Sequence, residues 1–157
     1  MGKTHWEDSE FLTLCESDDT AKIEEALNNG ANVNARDEDG NTALHWEYRG
    51  DIARVLLEHG ADVNAKNNDG SSVLRCATSP EVLDLLIEYG ADVDARDDSG
   101  MTALHWAAIQ GYAAFVEALA VSSDVNAKDN YGNTPLDYAA GPEIEDLLVI
   151  LGARRER

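Results

Sequence analysis

Apolar residues recur along this chain at helical spacing, in pairs of short segments. The longer segment of each pair carries a stripe such as Ile52, Val55 and Leu56, and positions three and four apart share one face of a helix. The shorter segment begins beside a hydroxyl residue that suits a helix N-cap, at Thr42, Ser72, Thr102 and Thr134. The pattern therefore predicts pairs of antiparallel helices.

A polar phrase rich in Asp, Asn and Gly joins each pair to the next. It runs from Asn34 to His45 and returns, with substitutions, from positions 64, 94 and 126. Glycines at 30, 60, 90 and 152 are placed to end the second helices, and glycines at 40, 70, 100 and 132 to supply the positive φ of a tight turn. Such repetition predicts a stack of small units that functions through an extended surface.

These residues resemble the ankyrin repeat, whose pattern is matched by the run Asp97 to Ala108 and again by Thr134-Pro135-Leu136. The resemblance covers about Ser9 to Ala153 and implies an all-α, helix-turn-helix solenoid with short hairpin loops. We expect five repeats, at residues 9–36, 37–66, 67–96, 97–128 and 129–153, with the outer two as caps. Residues 1–8 are expected to be a disordered N-terminus, and residues 154–157 a C-terminal tail.

The spacing of the units is irregular. Asp37, Asn67, Asp97 and Asp129 follow one another at 30, 30 and 32 residues, against a family period of about 33. The missing residues fall where the two helices of a unit join, as at Ser79-Pro80-Glu81, where Pro suits a first helical position. This irregularity favours a natural sequence, although an engineered scaffold without a natural partner stays an alternative.

Charge narrows the choice of partner. The chain has 12 Lys and Arg against 31 Asp and Glu, a formal net charge of -19, which repels nucleic acid and anionic membranes. The charge either serves solubility and resistance to self-association or attracts a protein with a basic patch. No segment approaches the ~20 apolar residues that cross a bilayer. Cys15 and Cys76 lie in units that should not touch, which fits a reducing compartment. We expect a cytoplasmic monomer without cofactor or metal.

The resemblance places partner contacts on the hairpin tips and the exposed side of the first helices. Trp46, Cys76, Trp106 and Tyr138 hold equivalent positions and should form a ladder, whose aromatics either anchor a partner or pack between units. The hypothesis is a non-catalytic protein-protein interaction module that binds a partly basic partner through an acidic concave surface. The expected partner-binding residues are Glu38, Asp39, Asn41, Trp46, Asp69, Ser71, Asp98, Ser99, Met101, Trp106, Tyr131 and Asn133.

The competing hypothesis is an enzyme, natural or engineered, with Cys76 as nucleophile. His45 and His105 lie one unit to either side, and Glu47 stands where the family has a small residue. A thiol, an imidazole and a carboxylate are the ingredients of a nucleophilic site. The resemblance instead gives both histidines a structural role, tying the hairpin to the helix, so no catalytic residue is assigned.

Overall fold

The chain folds into a row of helix pairs that are joined by hairpin loops. The computed structural model describes residues 5–46 and 49–156. No β-strand occurs in these two ranges, where Lys66 and Ser72 form an isolated bridge. The all-α prediction is therefore confirmed. The elements, in chain order, are α1 (Asp8–Cys15), α2 (Thr20–Asn28), α3 (Ala43–Trp46), α4 (Gly50–Glu58), α5 (Val73–Cys76), α6 (Pro80–Glu88), α7 (Ala103–Gln110), α8 (Ala113–Ala120), a 3-10 turn (Pro135–Tyr138) and α9 (Pro142–Ile150).

The helices form two layers with the core between them. One layer is the row α3, α5, α7 and the 3-10 turn, and the other is the row α2, α4, α6, α8 and α9. In α4, Ile52 and Leu56 are fully buried and Val55 is half-buried, as their spacing predicts. The first helices contribute one leucine at the same position in each unit, and all four are buried: Leu44, Leu74, Leu104 and Leu136.

Both ends of the chain are more closely tied to the stack than the sequence indicates. Trp6 is half-buried against the core and α1 begins at Asp8, so part of the segment expected to be disordered is packed. Residues 1–4 lie outside the described residues. At the other end, the Arg154 N–H donates to Asn126 Oδ1 at 2.8 Å, and Arg155 pairs with Glu145.

The first helices differ in length, and the spacing of the units explains why. In the third unit α5 has a single turn, because Ala77 turns extended (ψ 131°) and the chain must start α6 at Pro80. In the fourth unit, which is two residues longer, α7 has eight residues and ends at Gly111 in the left-handed conformation. In the last unit the prediction of an α-helix is wrong. The segment forms a 3-10 turn, because Ala139 turns extended (ψ 127°).

Two series of hydrogen bonds join neighbouring units. Along the hairpin tips, backbone N–H groups of Asn68, Asp98 and Asn130 donate to a carbonyl of the preceding tip, at 2.9–3.3 Å. Below the tips, the first residue of each polar phrase accepts a backbone N–H of the next unit with its side-chain oxygen, at 2.7–2.9 Å. These acceptors are Asn34, Asn64, Asp94 and Asn126. The recurrence of Asn or Asp at this position is therefore explained by contact between units.

The tip glycines show how closely the units approach. Gly70 has φ +72°, and a Cβ there would lie 2.2 Å from Asp98 Oδ1 and 2.9 Å from the Asp98 backbone nitrogen. Gly132 at the last tip has a similar φ of +85° but nothing within 4 Å of a Cβ. Gly132 therefore meets only the requirement for positive φ, whereas Gly70 meets both that requirement and the requirement for space.

We expect Gly132→Ala to destabilise the protein by about 1–2 kcal/mol, because a Cβ is strained at positive φ. Gly70→Ala should cost a further ~1–3 kcal/mol, because the added methyl group displaces the neighbouring tip. Urea denaturation of both variants measures the difference. Equal losses of stability would show that the tips do not pack as closely as described.

Candidate binding surface

Each hairpin tip is built around one Asx side chain. Asp97 Oδ1 accepts the N–H groups of Ser99 at 2.9 Å and Met101 at 3.0 Å, and this fixes the turn around Gly100. At the other tips, Oδ1 of Asp37, Asn67 and Asp129 accepts the equivalent pair of backbone N–H groups. The side chains between these anchors are held outward on a rigid loop.

The predicted contact residues divide into three groups by exposure. Those at the ends of the tips are exposed: Glu38, Asp39, Asp69, Asp98, Ser99 and Tyr131, the last at 79%. Those beside the tips are half-buried: Asn41, Trp46, Trp106 and Asn133. Ser71 and Met101 are only 2% and 8% exposed.

The buried pair follows from the geometry of the tip. The position after the first tip glycine shows the orientation: the Asn41 side-chain oxygen accepts a bond from Asn67 Nδ2 of the next unit at 2.9 Å. Ser71 and Met101 hold the same position, so they offer little surface to a partner. We therefore leave them out of the contact surface proposed below.

Two aromatic residues of the ladder are hydrogen-bonded to the acids that close their own tips. Trp106 Nε1–H donates to Asp97 Oδ2 at 3.0 Å, and the Tyr138 hydroxyl donates to Asp129 Oδ2 at 2.7 Å. Burial would raise the pKa of Asp129, but hydrogen bonds from Tyr138 and from the tip backbone outweigh it and hold that pKa below its usual value. Trp106 and Tyr138 are thus half-buried and oriented. In the sequence, this contact is indicated by the nine-residue separation between the aspartate and its aromatic partner.

Arg75 is the site residue that sequence reasoning missed. It occupies the position of His45 and His105, and its guanidinium carbon lies 3.9 Å from the centre of the Trp106 ring. Together with Cys76 and Ala77 it lines a cavity of about 380 Å³ between the third and fourth units. The sequence indicates this residue by placing an arginine where two other units have a histidine.

A second hollow lies between the first two units. Its volume is about 750 Å³, and Trp46 and Leu12 line it together with the carboxylates of Glu16, Asp37 and Glu38. An indole beside carboxylates offers both apolar and cation-binding surface. This hollow lies beside the first hairpin tip and is continuous with the predicted contact residues Glu38 and Trp46.

The repeated histidines are bound at both ring nitrogens. His45 Nδ1 accepts the Thr42 backbone N–H at 2.9 Å, so its proton lies on Nε2, which donates to the Ser71 carbonyl at 3.2 Å. His105 makes the equivalent contacts with Thr102 and Asn133. Burial lowers the pKa of both imidazoles. In the last unit Asp137 replaces the histidine and accepts the Thr134 N–H.

These contacts leave Cys76 without an activating base among the described residues. Neither histidine is hydrogen-bonded to its thiol, and burial raises the pKa of Cys76, although nearby Arg75 acts in the opposite direction. Glu47 lies outside the described residues. In the ranges that are described, no group of three His, Cys, Asp or Glu side chains is placed to hold a metal ion, and no helix is long and apolar enough to span a membrane.

Paired helices stacked through hairpin tips define a helical repeat protein. A family model described as ankyrin repeats (3 copies) matches residues 11–97 and 78–154. The chain therefore belongs to the ankyrin repeat family, as the residues at Asp97 to Ala108 indicated. Ankyrin repeats are generally protein-protein interaction modules and are typically non-catalytic. No curated protein sequence matches the chain.

The buried histidines predict a loss of stability in weak acid. Their folded pKa values lie below the unfolded value of about 6.5, so the unfolded chain binds more protons, and the stability present above that pH is lost as the pH falls through the folded values. The urea midpoint should therefore drop between about pH 7.5 and 5.5. A double variant, His45→Gln with His105→Gln, should show a smaller drop; an equal drop would assign the effect to other groups.

The raised pKa of Cys76 predicts a slow thiol. At neutral pH, iodoacetamide should alkylate Cys76 in the folded protein at least roughly tenfold more slowly than in the urea-unfolded chain, because only the thiolate reacts. Mass spectrometry of the peptide that contains Cys76 gives both rates. Faster labelling in the folded state would revive the enzyme hypothesis.

Proposed function

We propose that this protein is a non-catalytic binding module that holds a partly basic protein partner on its acidic hairpin tips and first helices. The observation that carries the proposal is the set of exposed carboxylates on rigid tips, at Glu38, Asp39, Asp69 and Asp98. We further propose that it acts as a monomer in the cytoplasm, which is consistent with two free cysteines.

Among the described residues, the nearby cations form no ion pair with the tip carboxylates. The Arg36 and Arg96 guanidinium groups donate to backbone carbonyls at the base of the tips, and Lys66 Nζ donates to the Arg96 carbonyl at 2.7 Å. These cations reinforce contacts between units and leave the outer carboxylates free to attract a partner. A basic surface would thus be steered toward the row of tips, faster at low salt than at high salt.

Order in the tips supports affinity as well as attraction. Each tip is closed by two bonds to its Asx side chain and is bonded to the next tip, so little conformational entropy remains to be lost on binding. Tyr131 at the last tip is an exposed aromatic that can bury a large area at low entropic cost. Trp46 and Trp106 present only part of their rings beside the tips.

The proposal predicts that charge reversal on the tips abolishes capture of the partner. The immobilised protein should retain basic proteins from a lysate at low salt, and Asp39→Lys with Asp69→Lys should reduce their retention by roughly tenfold or more. Raising NaCl from about 50 to 300 mM should weaken retention in the same way.

The matched control is Asp84→Lys with Glu117→Lys, which makes the same change in net charge on exposed positions of α6 and α8. This variant should retain the same proteins as the wild type. Equal loss in both variants would mean that net charge alone is responsible. Retention of nothing by the wild type at low salt would instead favour the scaffold without a natural partner.

A further inference from the structure

The cavity between the third and fourth units exists because two adjacent first helices differ in length. α5 ends at Cys76 after one turn, whereas α7 continues to Gln110. The last turn of α7 therefore has no helix of the third unit beside it. The resulting cavity of about 380 Å³ is lined on its apolar side by Ala103, Ala107, Phe115 and Leu119. Its size and composition are typical of a site for a small ligand.

One cation lines this apolar cavity, and one of its hydrogen-bond donors has no partner among the described residues. The Arg75 side chain covers the face of Trp106, and its Nε atom is buried without a hydrogen-bond partner among the described residues. Buried polar groups in folded proteins are nearly always paired, so an unpaired guanidinium donor indicates a missing acceptor. The chain carries 31 Asp and Glu residues, yet none of those in the described ranges forms a salt bridge with Arg75.

The neighbouring units show that Arg75 does not replace the histidine functionally. His45 and His105 each bond the carbonyl of the following tip through Nε2. Arg75 makes no such bond within the described residues; its backbone N–H donates to Ser72 Oγ, and its guanidinium lies against Trp106 instead. The side chain is thus held at the cavity by stacking on Trp106.

We propose that this cavity binds a small carboxylic acid with an apolar body. The carboxylate accepts hydrogen bonds from Arg75, whose planar fork matches its two oxygens, and the apolar body lies against Ala107 and Phe115. Gln110 and Tyr112, which also line the cavity, offer further polar contacts. A single cation suits a monoanion, whereas a phosphate dianion would meet stronger repulsion from the net charge of -19. The argument for this ligand does not rest on the proposed protein partner, although Trp106 belongs to both the cavity and the proposed contact surface.

The test compares an acid with its neutral counterpart. 4-Phenylbutanoate and 4-phenylbutanamide are titrated into the wild-type protein, and the indole N–H resonance of Trp106, assigned with Trp106→Phe, reports binding by NMR. The acid should cause a saturable shift with a Kd on the order of 1 mM, and the amide should bind roughly tenfold or more weakly. Equal binding of acid and amide, or no shift with either, would overturn the proposal.

Three arginine variants locate the site. Arg75→Gln should weaken binding of the acid by roughly tenfold and leave binding of the amide unchanged. Arg54→Gln, which removes the same charge from an exposed position on α4, should bind the acid like the wild type. Arg75→Lys keeps the charge but loses the planar fork, so it should give an intermediate affinity. Unchanged affinity in Arg75→Gln would overturn the proposal.

Discussion

The contact between successive units is the constraint on which this structure depends. No unit is large enough to bury its own apolar face, so its helices are stable only when a neighbour covers them. The hydrogen bonds from Asp62, Asp92 and Asp124 N–H to side-chain oxygens of the preceding unit set the distance at which the apolar layers meet. The close approach at the tips has a steric cost, which is why Gly40, Gly70 and Gly100 face the Asx side chain of the next unit.

The surface follows from the same contacts. An acid such as Asp97 uses one oxygen to close its tip and the other to hold Trp106, so the shape of the turn and the orientation of the aromatic ring are set together. The cations that could neutralise the rim are engaged with backbone carbonyls at the base of the tips. The result is a row of exposed carboxylates on closed turns, beside partly covered aromatic rings.

Much of the fold could be predicted because the repeats make each local signal appear several times. Leu44, for example, is one of four equivalent leucines, and all are buried. The sequence could not indicate which side of a tip faces the neighbouring unit, so Met101 was assigned to the surface although it is buried. It also gave no measure of how far a shortened first helix would extend, and for that reason the cavity beside Arg75 and the 3-10 turn at Pro135 emerged only from the structure.

In two repeats, the acid that closes a tip and the ladder residue nine positions later form a hydrogen-bonded pair. In the fourth and last units the ladder residue has a strong donor, in Trp106 and Tyr138, and the tip is closed by an aspartate that accepts it. Where it is Cys76, the tip is closed by Asn67, whose amide nitrogen donates to Asn41 instead. In these two units a substitution of the ladder residue would therefore leave an oxygen of the closing aspartate, nine residues earlier, without its donor.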